Sequence, residues 1–174
     1  MNNTFIDVLF ASDSWANRCL LEECQALTQE QMEQPLGLGH GDIESTLSHL
    51  IGALIFFTDR LNRAPRRPRP DRDGIRRSPA ELFEIFNMAD ADLQKAIAKT
   101  IETHSMTDLL NWTDTDTGDI DPQDQVPYAV VFAQMIDHSI HHRTQIMDML
   151  NLLGINKPMD WHPFEWDEAT RIDS

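Results

Sequence analysis

Six apolar residues, Ile43, Leu47, Leu50, Leu54, Phe57 and Leu61, follow one another in alternating steps of four and three. At about 100° of rotation per residue, such steps keep every member on one side of an α-helix. A half-buried strand would need a period of two. This segment is therefore an amphipathic helix with one apolar seam, and other helices must cover that seam. Asp42 stands where the helix needs an N-cap, and "GLGHG" before it reads as a loop.

Three further long helical patterns accompany it. The first runs from about residue 5 to 27, with Phe5, Leu9, Cys19, Leu20 and Leu27 as its apolar members, and is the least regular. Thr28 then starts one short helical turn. Another helix opens firmly at Ser78-Pro79-Ala80-Glu81: Ser78 caps, Pro79 suits the first helical position, and Glu81 completes a capping box. Its stripe is Leu82, Phe86, Ala89, Leu93 and Ala96, and it ends near Thr103. The last begins with Pro127 in its first turn and runs to about Leu153, where Gly154 suits the position after the helix. Four long helices, two long connections and hardly any strand signal predict an all-α fold, a four-helix bundle forming a single domain over residues 1–174. Trp161, Phe164 and Trp166 in the tail are expected to pack back on the bundle.

The connections are polar. Residues 62–78 combine prolines and a glycine with arginines, and eight of the chain's 14 basic residues fall between Arg60 and Arg77. A solvated loop is the expectation, with anion binding as the alternative. Residues 104–126 form a long Asp- and Thr-rich connection with an extended piece around Leu109 to Trp112. Its "DTDTGDIDPQD" is not a calcium loop, since the twelfth-position glutamate and the flanking helices are missing. With 29 acidic residues and a net charge of −15, the chain should be soluble and should repel nucleic acid and anionic membranes. No signal peptide or membrane span is read, and Cys19 and Cys24 are expected as reduced thiols of a cytoplasmic protein.

Histidines carry the chemistry. In "IDHSIHHRTQIM", His138 and His142 are four apart and lie on the seam Val131, Met135, His138, His142, Gln145, Met149, while His141 shares the solvent face of Gln134, Asp137 and Asp148. Two buried imidazoles need partners for their ring nitrogens, and a divalent metal satisfies both at once. His49 sits mid-helix beside the seam of the second long helix. It completes a three-histidine site if the two helices are neighbours, and is otherwise a core histidine bonded to a neighbouring helix. Three neutral ligands leave coordination positions open. His40, His104 and His162 are expected as surface or capping residues. The chain has no His-Glu-x-x-His, no Glu-x-x-His, no Gly-x-Ser-x-Gly and no phosphate-binding glycine loop.

Residues 15–61, from "WANRCLLEEC" to "FFTDRL", together with "MIDHSIHHRTQIMDMLNLLG" and the closing Leu153-Gly154 … Pro158 … Asp160, resemble the DinB/YfiT-like superfamily. These are small metal-binding four-helix bundles, unrelated to the DNA polymerase that shares the DinB name. The resemblance implies a bundle with long crossover connections and metal ligands at His49, His138 and His142. It further implies zinc or nickel as the metal, a homodimer, and a low-molecular-weight thiol as cosubstrate. The expected function is transfer of that thiol to a small electrophilic substrate. Metal-dependent hydrolysis and non-catalytic metal binding in a stress response are the alternatives. Arg143 is expected either to form an interhelical ion pair or to orient an acid group of the substrate. The arginine-rich loop matches no pattern of the family.

Overall fold

Each long apolar stripe is a helix in the computed structural model, which describes residues 4–112, 125–155 and 161–172. Helix α1 spans Phe5–Cys24 and is capped by Thr4, whose side chain accepts from the Asp7 N–H while Asp7 reaches back. The short α2, Gln29–Met32, repeats that device with Thr28 and Gln31. Helix α3, Ile43–Asn62, starts at Asp42, whose carboxylate accepts the Ser45 N–H at 2.6 Å. Helix α4, Pro79–Thr103, has the capping box of Ser78 and Glu81. Strands β1, Leu109–Asn111, and β2, Gln125–Pro127, pair antiparallel with Leu110 opposite Val126. Helices α5, Tyr128–Leu152, and α6, Pro163–Ile172, complete the described chain.

Helices α1 and α3 each lie against both α4 and α5. Consecutive long helices α1 and α3 therefore stand across a diagonal, and so do α4 and α5, so the chain over 25–42 and over 104–127 must cross the bundle, whereas 63–78 joins the neighbours α3 and α4. All six seam residues of α3 are buried, as is the whole stripe of α4. All of them but Leu50 meet Leu20 and Leu21 of α1 and Ile146 and Met149 of α5 in one core. Burial of this kind is the main favourable term in folding.

The expectations differ from the structure in detail. Helix α1 ends at Cys24, and a turn then carries Leu27 into the core. Pro127 is the N-cap of α5 and the last residue of β2, not part of the first turn. Trp161 is buried and α6 packs on α1, but Phe164 is 81% exposed, so only part of the aromatic tail folds back. Cys24 is buried, Cys19 is half-buried, and both are free thiols. The "DTDTGDIDPQD" stretch and the segment from Asn156 to Asp160 lie outside the described residues. No helix among the described residues is long and apolar enough to cross a membrane.

Candidate metal centre

Because α3 and α5 are neighbours, His49 meets the two histidines of the α5 seam. His138 and His142, one turn apart, have ring centroids 4.4 Å from each other. The His49 ring lies 5.0 Å from His138 and 4.7 Å from His142. Nε2 of His49 stands 3.0 Å from Nε2 of His138. Two nitrogens that bind one ion at about 2.0–2.1 Å stand about 3 Å apart. The three histidines singled out in the sequence are thus brought together across two helices.

A fourth joins them. His40 was expected as a surface or capping residue, yet its ring stacks on His49 at 4.0 Å. The ligand atoms of His40, His49 and His142 lie within 4.8 Å of one another. The loop that carries His40 is held by turns only glycine tolerates well: Gly39 has φ +53°, and a Cβ there would come 2.6 Å from Thr46 Oγ1. That same hydroxyl accepts the His40 N–H at 3.0 Å, which fixes the loop on the first turns of α3. The signal in the sequence was a histidine between two glycines, just before a capped helix.

Neighbouring groups orient two of the rings. Gln145 Oε1 accepts from His142 Nδ1 at 2.8 Å, which leaves Nε2 of His142 unprotonated; the Gln145 amide in turn donates to Nε2 of exposed His141 at 2.9 Å. His49 Nδ1 faces Asp71 Oδ2 at 3.4 Å. Burial, followed by the nearby His40 and His142 imidazoles, pushes the His49 pKa down to about 4. Burial, followed by His142 and His49, does the same for His138, also to about 4. His142 is lowered as well, mainly by burial, against the pull of its bond to Gln145. At neutral pH His49, His138 and His142 are therefore uncharged nitrogen donors, the form a metal requires. The donor set and the nitrogen spacing both fit a divalent ion.

The arginine-rich segment is a largely exposed loop, as expected, but it is tied down by ion pairs. Arg67 bridges Asp59 at 2.7 Å and Asp92 at 2.8 Å. Arg76 bridges Asp42 at 3.0 Å and Glu44 at 2.6 Å, and Arg77 pairs with Asp73. These pairs lay the segment over α3, bury Pro70 and leave the Asp71 side chain 8% exposed. Between loop and helix lies an open cavity of about 400 Å³, lined by His40, Ser48, His49, Asp71, Arg72 and Arg76 among others. Arg143 has no part in it. Its guanidinium is buried against α1, 2.8 Å from Asp13 and 3.0 Å from the Asn17 side-chain oxygen. It makes the interhelical pair. His104 caps the end of α4, where it meets the Tyr128 ring, and His162 precedes α6.

Comparison with known proteins agrees with this construction. The model of one protein family, the DinB family, matches residues 1–171. No curated protein and no solved structure shows a significant match to the chain.

Proposed function

The chain belongs to the DinB family, and on that premise we propose that it binds a divalent metal ion, zinc or nickel, and moves a small thiol onto an electrophilic small molecule. His49, His138 and His142 hold the ion. The observation that carries the reading is the 3.0 Å approach of Nε2 in His49 and Nε2 in His138 beside an open cavity. An ion bound there supplies Lewis acidity, which lowers the pKa of a thiol or a water molecule that reaches it. The remaining work falls to the protein. Uncharged imidazoles leave the positive charge of the site undiminished. The cavity of about 400 Å³ admits a small substrate. His40, exposed and stacked on His49 at the rim of that cavity, is placed to take up the proton released by the thiol. Arg72, whose side chain is 72% exposed, lies at the cavity wall to meet an acidic group of the substrate.

The test is consumption of a small thiol in the presence of an electrophile such as a chlorodinitrobenzene, with the protein loaded with zinc or nickel and after chelation. The expected result is turnover that needs both metal and thiol. Equal rates after chelation would contradict the reading, and turnover of an ester without thiol would point to hydrolysis instead.

A further inference from the structure

We propose that Asp71 is a positioning residue for the metal centre: the arginine-rich loop docks its carboxylate into a notch left by Gly52, where it fixes the ring of His49. This rests on the metal-binding reading above and adds a device that controls the site.

Three features otherwise lack a reason. The first is the carboxylate. The Asp71 side chain is only 8% exposed, and its Oδ1 is buried without a hydrogen bond among the described residues. Arg69 Nε comes within 3.2 Å of that oxygen and Arg72 Nε within 3.5 Å of Oδ2, so charge balances the carboxylate, yet hydrogen-bond alignment at Oδ1 is missing. An aspartate that only served those arginines would lie in water, where no desolvation is incurred.

The second is Gly52. It sits in the middle of α3, where glycine weakens a helix relative to alanine. Its backbone does not need a positive φ. Space is the reason: a Cβ at this position would collide with Oδ1 of Asp71 and lie 2.7 Å from its Cγ.

The third is the loop. Arg67 on Asp59 and Arg76 on Asp42 and Glu44 tie it to α3 on both sides of Asp71. The result of that anchoring is a carboxylate 3.4 Å from Nδ1 of His49. A carboxylate there holds the proton on Nδ1 and keeps the Nε2 lone pair turned to the cluster, as partners of metal-bound histidines commonly do. His142 has Gln145 in the same role. Loop docking and metal retention are therefore coupled: when the loop lifts, His49 loses its orientation.

The variants Asp71→Asn, Gly52→Ala and the double variant test this. Gly52→Ala adds one methyl group and removes no charge and no donor. Zinc affinity is measured by competition with a chromophoric chelator, and the His49 tautomer by long-range proton–nitrogen NMR on the metal-free chain. The expected result is a loss of affinity of about 10- to 100-fold in each single variant, with the double no worse than the weaker single. His49 should shift from the Nδ1–H form to a mixture. Should Gly52→Ala fail to fold, Asp71→Asn and its tautomer spectrum decide. Parent affinity and an unchanged tautomer in Asp71→Asn would overturn the proposal while leaving the metal reading intact, provided that His49→Ala loses zinc. A parent chain that binds no zinc would overturn both.

Discussion

His49 and His138 present Nε2 to each other while their surroundings hold both pKa values near 4. An unfolded chain takes up protons at these positions near pH 6.5. Between about pH 6.5 and 4 the unfolded state binds more protons, so the stability these groups contribute is complete above pH 6.5 and is lost as pH falls through 4. The melting temperature of the metal-stripped protein should decline over that window, and more shallowly in the double variant His49→Gln, His138→Gln; equal slopes would contradict it. His40 and Arg143 separate roles in the same way. His40→Ala should retain metal but lose thiol turnover, whereas loss of metal equal to that of His49→Ala would make His40 a ligand. Arg143→Ala leaves Asp13 without its cationic partner but still bonded to Ser139 and Asn17, a loss of about 3 kcal/mol. Urea unfolding should report that loss, with metal affinity unchanged.

At the scale of elements, local rules account for what the sequence shows. The 4-3 seam of α3 and the capping boxes at Thr28 and Ser78 depend on residues within a few positions of one another, and all of them form. Ser78→Ala should cost about 1 kcal/mol, since it frees the N–H of Glu81 at the start of α4; chemical denaturation checks it. The shared face of His138 and His142 was legible once helicity was given, because faces follow from period; that His49 meets them depended on α3 and α5 being neighbours, which the fold supplies. His40 and Asp71 were not. The place of His40 depends on backbone angles that glycine permits, and that of Asp71 on ion pairs between a loop and a helix. Arg143 meets Asp13 across 130 positions of sequence, so the choice between its two expected roles needed the fold.

For the whole molecule, the diagonal connectivity has a consequence for the site. Helix α3 follows α1 across the bundle, and the crossing chain brings His40 to His49; the loop that leaves the other end of α3 folds back along the helix and brings Asp71 to the same ring. His40, His49 and His142, from two helices and one loop, then bring ligand atoms within 4.8 Å of one another, with His138 Nε2 3.0 Å from His49, beneath a basic segment in a chain of net charge −15. That global field favours cations over anions near the surface. The central claim is that this point holds a divalent ion. The most direct measurement is the metal content of untagged protein, beside His49→Ala and His142→Ala. The predicted result is about one zinc or nickel ion per chain, lost in both variants, since each removes a ligand. No bound metal in the parent protein, even after incubation with zinc and nickel, would contradict it.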